Sequence, residues 1–166
     1  MAMFPKDIYL AVKSALEDSS YLTYVDVVEI QKYRRDTLPD FENYCIVISP
    51  ILAESVPYPA AHRWIANSIE LILLGKLRTG HSDAVVADNP TGSPPNVGVL
   101  AMYEDVYRTL YKNTLEGAIE LYPELNELDV VTRFDVIAPD EDREAFIFEV
   151  RMGYHPRGQR WVDLSS

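Results

Sequence analysis

Apolar positions recur at helical spacing in two stretches of the chain. From Pro5 to Asp18, residues Ile8, Ala11, Val12, Ala15 and Leu16 share one face while Lys6, Lys13 and Glu17 lie elsewhere, which predicts an amphipathic helix. Val99, Met102, Tyr103, Val106 and Leu110 repeat that spacing between Val99 and Lys112, and a second helical piece is expected from Leu115 to Tyr122, where Pro123 ends it. Elsewhere the signal is that of strands. Tyr24 to Lys32 and Tyr44 to Pro50 are rich in β-branched residues, and the YRRDTLPDFEN between them reads as a turn or long hairpin. His62 to Leu77 fits both periods and is read as a strand. Val130, Thr132, Phe134 and Val136 alternate along Val130 to Ala138, as do Phe146, Phe148, Val150 and Met152 along Ala145 to Met152, so PDEDRE is expected to turn a β-hairpin.

Two segments lack periodicity. TGHSDAVVADNPTGSPPNV, residues 79–97, is rich in proline, glycine and small polar residues and predicts a long loop without regular structure. The end of the chain, GYHPRGQRWVDLSS, reads as an arm of residues 154–166 that docks elsewhere or frays. Together these elements predict a single α+β domain over residues 1–166. Its mostly antiparallel sheet is packed on one face by two main helices and closed by the C-terminal hairpin.

Charge narrows the range of partners. The 166 residues hold 26 acidic and 15 basic side chains, a net charge of −11, which disfavours general affinity for nucleic acid or an anionic membrane. No stretch approaches the apolar length of a membrane span, and the first residues lack the pattern of a signal peptide. Cys45 is the single cysteine, so no internal disulfide forms and a reducing compartment is expected. The charges are also segregated. Residues 101–149 carry 13 acids and four bases, whereas Lys32, Arg34 and Arg35 cluster at what is expected to be a hairpin tip. Such patches suit contact between copies of one subunit as well as they suit a solvated surface.

Candidate chemistry is sparse. His62, His81 and His155 are scattered; His81 with Asp83 and Asp88 is the one conceivable metal set, in a loop where chance supplies such patterns, and no metal or other cofactor is expected. GxSxG, HExxH, GxGxxG and a P-loop are all missing, and Cys45 sits in an apolar strand, so no enzyme is expected and no catalytic residue is assigned. Tyr103, Tyr107 and Tyr111 form a stripe at i, i+4, i+8 along the second helix, among 11 tyrosines in all. Tyrosine at a core edge explains the stripe, and so does a protein interface.

The order of elements resembles a known family. A short helix, a strand with a long hairpin, an apolar strand ending LLGK, a loop, a helix beginning GVLAMYEDVYRTL and a hairpin ending FIFEVRMGYH are similar, over most of residues 5–155, to the tail terminator (tail completion) proteins of long-tailed bacteriophages and related minor tail proteins. The resemblance implies a homo-oligomeric ring, expected to be a hexamer, that caps the tail tube in the virion, at the head-proximal end of the tail. It implies contacts with the major tail tube protein and the head-tail connector, assembly in the host cytoplasm, and a channel through which DNA passes without specific binding. The family carries no catalytic residues to transfer. Its interface is placed here on physical grounds at Lys32, Arg34, Arg35, Tyr103, Tyr107, Tyr111, Arg157, Arg160 and Trp161. A head-tail connector or neck subunit, and a small cytosolic enzyme or ligand-binding domain using the 79–97 loop, are the competing readings.

Overall fold

A computed structural model of the chain describes residues 5–50, 54–57, 62–66, 69–77, 85–113, 115, 127–129, 134–141, 143, 145–156 and 162–163. The elements are α1 (Pro5–Glu17), β1 (Val27–Ile30), β2 (Tyr44–Pro50), β3 (Glu54–Pro57), β4 (His62–Ala66), β5 (Ile69–Lys76), β6 (Asp88–Asn89), β7 (Asn96–Val97), α2 (Val99–Leu110), β8 (Glu127–Leu128), β9 (Phe134–Ile137), β10 (Ile147–His155) and β11 (Val162–Asp163). The class is α+β, as the pattern predicts. The main sheet runs β1-β2-β5-β10, and β8 and β9 share the far edge of β10. Every pairing in it is antiparallel except β1 with β2.

That exception corrects the expected hairpin. β1 and β2 run parallel, with Val27 opposite Cys45 and Ile30 opposite Ile48, so residues 31–43 form a return connection from one end of the sheet to the other. A tight turn joins only antiparallel neighbours, and a parallel pair demands a long crossover. Here the crossover contains no helix, and its apolar residues Tyr33, Leu38 and Phe41 do the packing that a helix does in other folds.

The two faces of the sheet are buried differently. Ile46, Ile48, Leu71, Leu73, Val150, Met152 and Tyr154 point to the front, where Ile8, Val12 and Leu16 of α1 and Met102, Val106 and Leu110 of α2 cover them. Cys45, Val47, Ile72, Leu74 and Ile147 point to the back and meet the crossover. The helices therefore occupy one face, as expected, but the centre of the other is not open to solvent. Burial on both sides explains why β2 and β5 read as unbroken apolar runs, YCIVIS and LILL, without alternation. The same run left 62–77 ambiguous by period; it is two strands, β4 and β5.

Two further expectations change. Phe134 and Val136 share one face of β9, as the alternation predicts, but that face is not buried: both are more than a third exposed, because this edge strand lies beyond the helices and Asp135 and Ile137 face the side that the crossover covers. Within the 79–97 loop, β6 and β7 pair as a short ribbon, Asp88 opposite Val97, with the proline- and glycine-bearing residues 90–95 forming its turn. The arm docks through β11, whose Val162 and Asp163 pair with Arg63 and His62 of β4 in a separate three-stranded sheet with β3. The predicted helical piece after Leu115, and residues 130–133 of the predicted hairpin strand, lie outside the described residues. No helix among the described residues is long and apolar enough to cross a membrane.

Candidate functional site

Strand alternation sets Glu149 of β10 on the back face between Phe148 and Val150, which both point into the front core. Its side chain is only 1% exposed. A carboxylate buried that deeply survives as an ion only when paired and hydrogen-bonded. The crossover supplies those partners. Arg35 donates from Nη2 and Nε to the Glu149 carboxylate at 2.7 and 3.0 Å, and its Nη2 also reaches Asp135 of β9 at 2.6 Å. The Tyr33 hydroxyl donates to the second Glu149 oxygen. From β10 itself, Arg151 approaches Glu149 at 3.2 Å, lies 5.0 Å over the Tyr33 ring and reaches Glu70 of β5 at 3.4 Å.

Burial pushes the Glu149 carboxyl up, but the hydrogen bonds from Arg35 and Tyr33 and the charge of Arg151 outweigh it and hold the group below its ordinary range. Burial, with the neighbouring Glu149 charge, moves the Tyr33 hydroxyl well above its usual value, so it stays a donor. This constellation fixes the crossover against the sheet. Charge alone could not reveal it in sequence, where Glu149 is one of 13 acids in its region and alternation places it on a face read as solvated. The two-residue spacings Tyr33–Arg35 and Glu149–Arg151 are the signal, since each pair extends to one side of an extended segment.

The predicted cationic cluster is accordingly split. Arg35 does not stand at a hairpin tip but, though 45% exposed, turns its guanidinium to Glu149 and Asp135, which lie 114 and 100 positions further along the chain. Arg34 points outward, two-thirds exposed, 3.5 Å from Asp36, and Lys32 is exposed. Beyond them, residues 36–42 arch over a cleft of about 930 Å³ whose far wall is Lys76, Arg143, Ala145 and Ile147. The Lys76 ammonium lies 5.7 Å from the Phe41 ring centre.

On the other side of the molecule the tyrosine stripe stands together as predicted. Tyr103 and Tyr107 have ring centres 6.3 Å apart, and Tyr107 and Tyr111 stack at 4.9 Å with an interplanar angle of 17°. Two faces of α2 cause this: Met102, Val106 and Leu110 take the buried face, so the i, i+4 tyrosines are left half-buried or exposed beside it. Tyr111 is 41% exposed, and Leu100 on the same helix is 53% exposed.

Arg157, Arg160 and Trp161 lie outside the described residues, as do His81 and Asp83, while Asp88 sits on the β6–β7 ribbon near Tyr24 and Asp105. Among the described residues no three His, Cys, Asp or Glu side chains are grouped to hold a metal ion. Cys45 is fully buried, and burial followed by the charges of Glu29 and Asp26 pushes its thiol up to about 12. A thiol so held is not a nucleophile at neutral pH.

No protein-family model and no curated protein matches the chain.

Proposed function

We propose that the protein is a structural subunit that assembles into a ring on a phage tail tube, a tail-terminator role, with the exposed face of α2 as part of the contact between subunits. One observation carries the proposal: a row of three half-buried to exposed tyrosines, two of them stacked, on a helix whose other face is buried. Stacked tyrosines offer large, rigid contact area with polar tips, the composition of an interface core. The order of elements supports the same reading through its resemblance to tail terminators. Lys32 and Arg34, which project from the crossover, oppose an otherwise acidic subunit and suit a head-to-tail contact that closes on itself.

Light scattering after size exclusion, across protein concentration and at low and high salt, tests the reading. The expected result is an oligomer near six subunits that loosens as salt rises, or a monomer that binds purified tail tubes and caps them. A monomer under all conditions that ignores purified tubes overturns it.

A further inference from the structure

We propose that the crossover 31–43 is a hinged strap that lifts as a unit from the back face of the sheet while the rest of the fold stays intact, with Glu149 as its latch. This holds whatever the subunit assembles into.

The strap is tied to the sheet backbone at its two ends. The Gln31 amide donates to the Ile48 carbonyl at 3.1 Å, and the Lys76 amide donates to the Asn43 carbonyl at 3.0 Å. The Asn43 and Tyr44 amides also donate to Asp26, which fixes the second end. Between those ties, the strap's hydrogen bonds to the sheet among the described residues run through side chains and come from Tyr33 and Arg35. The Tyr33 amide donates to Ser49 Oγ at 3.2 Å, and the Tyr33 hydroxyl and Arg35 go to Glu149 and Asp135. Residues 36–42 make no ladder at all; they bridge the 930 Å³ cleft and rest on the sheet through Phe41 and Leu38. Opening gives up the apolar contacts of Tyr33, Leu38 and Phe41 and the ties of Tyr33 and Arg35, but none of the front core, so it costs less than unfolding the whole domain.

The chemistry of the latch makes the opening concerted. Removing one partner while the strap is closed leaves a buried carboxylate short of a donor, which is costly. Lifting the whole strap instead lets water reach the buried Glu149 and Tyr33 together, while Arg35, 45% exposed even when closed, keeps its hydration, so partial release is avoided in favour of complete release. What lies beneath can stand alone. Cys45, Val47, Ile72 and Leu74 belong to β2 and β5, whose front side chains stay packed against both helices.

Cys45, the single thiol of the chain, reports the opening. The experiment is the rate of N-ethylmaleimide labelling of the native protein at pH 7 across low urea concentrations, beside the global unfolding transition followed by circular dichroism. Local lifting gives a rate that is almost flat at low urea and far above the extrapolated global unfolding line. Arg35→Ala should label faster by on the order of a hundredfold, and Tyr33→Phe, the milder change, by a smaller factor. Met102→Ala weakens the front core and serves as a control for global destabilisation. The strap is overturned if wild-type labelling follows the global line at every urea concentration. It is also overturned if Arg35→Ala and Tyr33→Phe speed labelling no more than their loss of global stability predicts from the Met102→Ala control.

Discussion

Gly75 on β5 lies directly under the ring of Phe148 on β10, its paired neighbour across the sheet. On its other side Gly75 pairs with Tyr44 of β2, and the two rings close over it with centres 6.2 Å apart. Tyr44 is fixed in turn, edge-on against Tyr24 at 5.2 Å and accepting a hydrogen bond from the Val97 amide at 2.6 Å. Glycine here makes room: a row of three residues across the sheet holds two aromatic rings because the middle one has no side chain.

A methyl group at position 75 would enter the Phe148 ring and sit 2.7 Å from the Tyr44 ring. Both rings are buried and cannot swing into solvent. Gly75→Ala should therefore cost about 2–3 kcal/mol, read as a lower urea midpoint at unchanged slope. Phe148→Leu in the same chain should return part of the loss. An alanine variant as stable as wild type would show that the rings relax freely.

The sequence carried the elements better than their connections. α1, α2, β2 and β10 follow from period and composition, because the helices and β10 each have a strongly apolar face and β2 is an apolar run buried on both sides. The parallel pairing of β1 and β2 does not, since 13 residues with Pro39 and paired arginines suit a long hairpin as well as a crossover. Only tertiary packing of Tyr33 and Phe41 against Cys45 and Val47 decides between them. Glu149 was illegible for a related reason: alternation assigns a face, while burial of that face depends on a segment over a hundred residues earlier. The tyrosine row was legible because helical spacing alone brings its members together.

Glu149 makes stability depend on acid in a defined direction. Its carboxyl is held below the ordinary value of 4.5 in the fold, so its contribution is complete above that value and disappears as pH falls through the lower, folded value. Glu149→Gln keeps the shape but loses the charge, and should cost about 3 kcal/mol at pH 7. The gap between wild type and variant should then narrow steadily in urea titrations taken from pH 5 downward. A gap independent of pH would mean that the charge contributes nothing.

Asp105 runs the other way. Burial raises its carboxyl, and the hydrogen bond that it accepts from the Tyr24 hydroxyl at 2.8 Å only partly offsets this, with Asp88 and Glu104 adding to the rise and Arg108 opposing it. A raised folded value means that stability is greatest below the ordinary value of 3.8 and declines as pH rises through the folded one. Asp105→Asn, neutral and still an acceptor, should gain on wild type as pH rises from 3.8 toward neutrality. Tyr24→Phe should do the opposite, losing about 1 kcal/mol at pH 7 as the carboxylate is left without its donor. Denaturation midpoints of the two variants at pH 4 and pH 7 check both signs.

The tyrosine row separates stability from assembly. Tyr107 stacks on Tyr111 at the outer face of α2, away from Met102, Val106 and Leu110, so removing either ring leaves the core intact. Tyr107→Ala or Tyr111→Ala should shift monomer stability by no more than about 1 kcal/mol. If the row sits at the centre of a subunit contact, losing one stacked ring should weaken association by about 2 kcal/mol or more, roughly thirtyfold. That appears as a higher concentration for half-assembly in sedimentation or light scattering. Lys32→Glu combined with Arg34→Glu provides the complementary arm, because exposed charges act on encounter and salt dependence more than on packing. The tyrosine variants should weaken the oligomer at all salt concentrations, and the charge variant chiefly at low salt. An oligomer indifferent to both tyrosine substitutions would move the contact off α2 and take with it the observation on which the ring proposal rests.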